Sequence, residues 1–217
     1  MKAEMTEPCK TVKAEETVFG MPDEVTLEYR WAFDADMVIQ AGAEQPIAIP
    51  ARSVIGCMAE AYLKGGSVDP TFDSLFLDGT VKWSDMTPVI NETRSDPAPQ
   101  SLVYLKYAKA YRNAYALTEN DKKDKQKALS GMFATHDAKD GWHLASVSSE
   151  MVYHHRHEHD GADAKLYQHR TMSAGLIYAG RVTLPADLQN TVLDLLNAAE
   201  FRIGHSRSAQ YSACRRL

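Results

Sequence analysis

Apolar side chains at every second position, Val25, Leu27, Tyr29, Trp31 and Phe33, alternate with Thr26, Glu28, Arg30, Ala32 and Asp34. A period of two sustained this long describes a β-strand with one buried and one wet face. The pattern predicts that the strand runs on through Met37 to Ile39. A strand of this kind needs a second layer over its apolar face. The following residues supply one: Pro46-Ile47-Ala48-Ile49-Pro50-Ala51-Arg52-Ser53 leads into a helix, with Pro50 suited to the first turn. Val54, Met58, Ala61 and Tyr62 share a helical face, and Gly65-Gly66 end it. A helix that starts on Arg-Ser after a strand places amides and a guanidinium at one edge of the sheet.

The same succession returns near the C-terminus. Gly175 to Leu184 puts Leu176, Tyr178, Val182 and Leu184 on one face of a strand. Pro185 then opens a helix in which Leu188, Val192, Leu195 and Ala199 recur at helical spacing. Between the two units, Ser74-Leu75-Phe76-Leu77 and Thr80-Val81-Lys82-Trp83 predict a second strand region, and Trp142 to His159 another extended segment. Residues from about 84 to 140 read as an insertion. They begin as a loop with Pro88, Pro97 and Pro99 and end in the charged, exposed run Glu119 to Lys127. Within them Tyr104, Tyr107, Tyr111 and Tyr115 have the spacing of one helical face, although the same run can pair as strands. With the insertion set aside, the order is β-α-β-β-α-β: an α+β, ferredoxin-like (RRM-like) fold. Residues 1–22, of mixed charge and bounded by Gly20 and Pro22, read as a flexible N-terminal arm, and 23–217 as a single domain.

Charge and cysteine usage narrow the setting. A net charge of −5 argues against a surface coated for non-specific nucleic-acid binding, but Arg202, Arg207, Arg215 and Arg216 crowd into the last sixteen residues. Cys9, Cys57 and Cys214 are far apart and form no Cys-x-x-Cys pair, so a cytoplasmic setting is expected. No apolar run approaches the roughly twenty residues that cross a bilayer, and the N-terminus, which carries acids and lacks an apolar core, does not read as a signal peptide, so no membrane partner is expected.

Three constellations carry candidate chemistry. Tyr153-His154-His155-Arg156-His157-Glu158-His159-Asp160 places His155, His157 and His159 on one strand face, a spacing open to metal ligation, to acid–base catalysis or to a plain polar strand end. Asp34 and Asp36 are paired carboxylates that read first as a solvated strand end. The third is the loop Phe201-Arg202-Ile203-Gly204-His205-Ser206-Arg207-Ser208-Ala209-Gln210-Tyr211. There Gly204 permits close backbone approach, Arg202 and Arg207 offer forked donors to phosphate, and Ser206, Ser208 and Tyr211 add neutral donors. An exposed arginine-bearing tail has the same composition. No Ser-His-Asp order, P-loop, Gly-x-Gly-x-x-Gly or His-Glu-x-x-His motif occurs.

Three of these stretches, in order, resemble the CRISPR-associated RAMP superfamily. Ile49-Pro50-Ala51-Arg52-Ser53-Val54-Ile55-Gly56 is similar to its "I-P-G-S-S-x-x-G" helix start. Leu166-Tyr167 with Gly175 to Val182 is similar to its "L-Y…G-x-x-F-x-G-x-I" strand, and Phe201 to Tyr211 to its glycine-rich loop. Leu75 to Gly79, and Pro97 to Leu102 with Lys106, resemble a backbone subunit of type III (III-D-like) effectors. Ala51-Arg52 stands where Gly-Ser is usual, and Ala209 and Ser212 stand where glycines are expected. The resemblance implies a structural subunit that grips CRISPR guide RNA through Arg52, Ser53, Arg202, Gly204, His205, Ser206, Arg207, Ser208 and Tyr211. Its partners would be other CRISPR effector subunits and, through the guide, target nucleic acid, in antiviral defence, with no cofactor. Target-cleaving members place an aspartate in the loop after the first strand. With the strand ending at Ile39, Gln40 to Gln45 offers only Glu44, which implies no slicing. Two alternatives are a RAMP-type endoribonuclease with His155 or His157 as acid–base, and a His-cluster metal-binding scaffold.

Overall fold

The computed structural model describes residues 24–34, 36–38, 48–139, 141–147, 149–156, 165–197, 201–203 and 213–216, with the backbone alone for 37–38, 152–156, 165–170, 213 and 215–216. The first half comprises β1 (Glu24–Phe33), β2 (Met37–Val38), α1 (Ala51–Gly65), α2 (Pro70–Phe76), β3 (Lys82–Trp83) and β4 (Thr87–Ile90). There follow β5 (Thr93–Arg94), β6 (Asp96–Pro97), β7 (Leu102–Leu105), β8 (Ala110–Asn113), α3 (Glu119–Lys122), β9 (Gln126–Ala128), β10 (Phe133–Asp137), β11 (Gly141–Ala145), β12 (Ser149–Arg156) and β13 (Lys165–Met172). The second strand–helix unit is β14 (Ile177–Pro185) and α4 (Gln189–Leu196), and β15 (Phe201–Arg202) and β16 (Ala213–Arg216) come last.

The central sheet is antiparallel and ordered β15-β16-β1-β14-β4-β5, with β3 also on β14. β1 pairs with β14 from Glu24↔Pro185 to Ala32↔Ile177, and its end pairs with β16 through Phe33↔Cys214. Grouped as β15/β16, β1, β14 and β3/β4, the strands stand in the order fourth, first, third, second. That is the ferredoxin-like arrangement predicted from the sequence. Strands β6 to β13, joined by β2, form three small sheets, β11-β10-β6, β12-β13-β2 and β8-β7-β9.

The alternation of β1 becomes packing in three dimensions. Leu27, Tyr29, Trp31 and Phe33 are buried, against Val54 and Met58 of α1 and Val192, Leu195 and Leu196 of α4. Phe33 meets Tyr178 edge-on at 5.6 Å, and Trp31 stacks on Phe201 at 4.9 Å. Burying each such ring contributes roughly 2–3 kcal/mol, so this face sets the register. The opposite face carries ion pairs and hydroxyls: Glu28 binds Arg30 and Arg181, and Thr26 meets Thr183 at 2.9 Å. RNA-recognition motifs stack bases on aromatic side chains of their sheet. These β1 and β14 positions are filled by paired charges instead.

Two expectations are corrected. Residues 74–77 do not begin a strand; Pro70–Phe76 is helical. The Asp69 carboxylate accepts from Phe72 N at 2.8 Å, Pro70 sits at the first helical positions, and Phe72 and Phe76 pack on Tyr62. Capping and a ring cluster outweigh a short apolar run that either structure can accommodate. Nor does β1 reach Ile39. It ends at Phe33, the Asp36 carboxylate accepts from Ala174 N at 2.9 Å, and Met37–Val38 crosses to pair with Met172 and Thr171 in another sheet. The connection from β1 to α1 therefore starts at Asp34 and carries Asp34 and Asp36 as well as Glu44.

Candidate nucleic-acid interface

An antiparallel bridge between Ile49 and Met86, two hydrogen bonds of 2.9 Å, fixes the start of α1. Pro50 takes the capping position rather than the first turn, with φ −61° and ψ 142°. Proline has no side-chain acceptor, and Asp85, from the far side of the bridge, supplies one: its Oδ1 accepts from Ala51 N at 2.7 Å. Ser53 N and Val54 N donate to Pro50 O. The first amide of the helix, expected to face a ligand, is thus already held by a carboxylate of the same chain. Arg52 remains exposed, Ser53 is half-buried and Val54 points into the core. Among the described residues Arg52 has no ion pair.

Arg202 approaches from the sheet edge. A cavity of about 870 Å³ lies between α1 and β15, lined by Gly56, Cys57, Glu60 and Lys64 on one side and Phe201 and Arg202 on the other. Arg52 stands one helical turn before Gly56, on the same face of α1 and about 6 Å along its axis. Arg202 thus lines the groove itself, and Arg52 stands one helical turn beyond its Gly56 end, although the two are 150 residues apart in sequence.

Gly204, His205, Ser206, Arg207, Ser208 and Tyr211 lie outside the described residues, but both flanks of their segment are described. Phe201 and Ile203 are buried on one side and Cys214 on the other, where its thiol donates to Phe201 O at 3.2 Å. Burial pushes the Cys214 thiol well above its ordinary range, with Cys57 and Asp34 acting in the same direction. It is a packing group, held neutral.

The other candidates fall elsewhere. His155 pairs with Leu166 in the β12–β13 ladder, on a different sheet, and His157 and His159 lie outside the described residues. Among the described residues no group of three His, Cys, Asp or Glu side chains could hold a metal. Asp36 holds the Ala174 amide, a turn-closing role. Tyr104 and Tyr111 face each other across the β7–β8 hairpin with ring centroids 5.2 Å apart, so the tyrosine series resolves as strands. Sequence reasoning missed Asp85, because its contact spans 34 positions and leaves no local pattern.

No family model matches the chain, and no curated protein does. Solved structures do. A chain of the Type III-B Cmr-beta structure bound to cognate target RNA is 10% identical, with a TM-score of 0.51 over 88% of this chain and 96% of that one. A chain of Type III-B Cmr-beta in the apo state is 9% identical at the same TM-score and coverage. At such identity the likeness is one of fold. Its extent is informative, because 88% of this chain must include strands outside the ferredoxin-like order. Among the described residues no helix is long and apolar enough to cross a membrane.

Proposed function

We propose that the chain is a CRISPR RNA-binding structural subunit of a multisubunit type III effector ribonucleoprotein, acting in antiviral defence. The observation that carries this reading is the fold likeness to chains of a Type III-B Cmr-beta assembly, one of them bound to target RNA, over nearly the whole of both chains. The groove supports it. Arg202 in its lining and Arg52 one turn beyond supply guanidinium forks, and the sequence from Gly204 to Tyr211 has further donors. Such groups grip a phosphate backbone without reading bases, as a guide whose bases must stay free for pairing requires. The partners are the guide RNA, neighbouring effector subunits and, through the guide, target nucleic acid.

Sequencing the RNA that co-purifies with the assembled protein tests the reading. Repeat-derived guides with a common end are expected; RNA-free protein or random fragments would overturn it. Cleavage by the subunit itself has its own control. With β1 ending at Phe33, the connection that follows it carries Asp34, so the absence of an aspartate after the first strand no longer argues against cleavage. Cleavage of a guide-matched RNA that vanishes in Asp34→Asn would make the chain a nuclease.

A further inference from the structure

The sheet β8-β7-β9 carries charge of the opposite sign to the rest of the chain. Residues 101–128 hold seven Lys and Arg against three Asp and Glu, whereas the whole chain has a net charge of −5. The fold concentrates that charge at one tip. Lys106 N donates to Lys125 O at 3.0 Å, locking the β7–β8 turn onto the segment that follows α3. Tyr107 N and Ala108 N donate to the two carboxylate oxygens of Asp124, at 3.0 and 2.8 Å. The one acid at the tip is therefore occupied by backbone. Lys106, Lys109, Lys123 and Lys125 are exposed, and none has an ion pair among the described residues. In their midst Tyr107 is 74% exposed, although its neighbours in the series, Tyr104 and Tyr111, are half-buried.

We infer that this tip is a second RNA-contact surface, which binds single-stranded RNA by stacking a base on Tyr107 and holding flanking phosphates with Lys106, Lys109, Lys123 and Lys125. The inference rests on the RNA-binding reading above and adds a site separate from the α1–β15 groove. Lysine ammonium groups around an exposed aromatic ring are what a single strand requires, since phosphates and unstacked bases alternate along it. An acidic protein surface would meet the lysines but leave the Tyr107 ring without a role.

The test is a binding titration of the full chain with a fluorescent 15-nucleotide oligouridylate over a range of salt concentrations. A polyglutamate peptide serves as a second probe. Lys106→Ala/Lys109→Ala/Lys125→Ala should reduce the slope of log affinity against log salt by about 2, near 0.7 for each phosphate contact. Tyr107→Ala should weaken binding roughly tenfold with the slope unchanged. All four side chains are exposed, so the variants should fold, which circular dichroism checks. Arg52→Ala in the same series reports on the groove. If it weakens binding while the tip variants match the wild type, the tip is no RNA site and the groove stands. If only polyglutamate binding responds to the tip variants, the surface is a protein dock and the inference fails. If the wild type binds no oligouridylate, both readings fall.

Discussion

The ring of Tyr29 lies across the backbone of Gly180, its register partner on the neighbouring strand. A Cβ at 180 would stand 2.5 Å from the phenol oxygen and 2.9 Å from Met86 Cγ. Both neighbours are buried, so neither can swing away. Gly180→Ala is therefore expected to cost about 1–3 kcal/mol, the usual penalty of overpacking. Gly56, inside α1, has nothing within 4 Å of its virtual Cβ. Gly56→Ala should instead stabilise by about 0.5–1 kcal/mol through helix propensity. Urea denaturation of the two variants should shift the midpoint in opposite directions; a shared direction would contradict this account of the core.

Asp85 holds the first amide of α1, and its negative charge would oppose a phosphate bound there as proposed. Asp85→Asn retains an acceptor and removes the charge, so it should tighten RNA binding while stability changes little. Asp85→Ala removes the cap as well and should lower stability by about 1 kcal/mol. Thermal melts and RNA titrations on both variants check the pair; tighter binding in neither would mean that Asp85 does not face the ligand.

The β4–β5 turn bends at Asn91 and Glu92, whose φ angles are 48° and 61°. Left-handed backbone suits asparagine but costs a residue such as glutamate about 1 kcal/mol or more. Arg30 holds this shape by donating to Glu92 O at 2.9 Å, a contact that does not need the glutamate side chain. The accompanying ion pair is 3.7 Å long and its Glu92 side chain is 88% exposed, so it offsets little. Glu92→Gly should raise the melting temperature by a few degrees. A lower one would show that the ion pair matters more than the strain.

Burial alone would raise the Asp124 carboxyl. The amides of Tyr107, Ala108, Lys125 and Lys106 together outweigh it and hold the group below the usual carboxylate range. A depressed carboxyl stabilises the fold above its unfolded value and loses that contribution as pH falls through its folded one. The β7–β8 tip should therefore loosen on acidification below the ordinary aspartate range, near 3.8. Amide exchange at Tyr107 and Ala108 should accelerate there ahead of exchange in β1, and in Asp124→Asn it should be fast already at neutral pH. Equal protection in that variant would show that the carboxylate does not hold the turn.

The elements legible in the sequence are those whose pattern is local and long. The alternation from Val25 to Phe33 became β1, and the helical stripe of Val54 and Met58 became α1, both buried as predicted. The four-strand order followed from two such units. Short runs were ambiguous. Leu75-Phe76-Leu77 satisfies a strand or a helix, and the decision lay with the Asp69 cap and the ring of Tyr62. The tyrosine series fits two periods, and the β7–β8 pairing chose between them without a glycine, Lys109 taking a φ of 50° in the turn. In the site, Arg52 and Arg202 stand out by residue type, but the groove that Arg202 lines depends on how α1 lies against β15. Asp85 lay beyond any local pattern.

The central claim is that the α1–β15 groove grips RNA by its phosphates, and the salt dependence of binding in Arg52→Ala and Arg202→Ala measures it most directly. Each substitution should weaken binding of the guide RNA and lower the slope of log affinity against log salt by about 0.7, one phosphate contact on a single strand. Unchanged affinity and unchanged slope in both variants would contradict it.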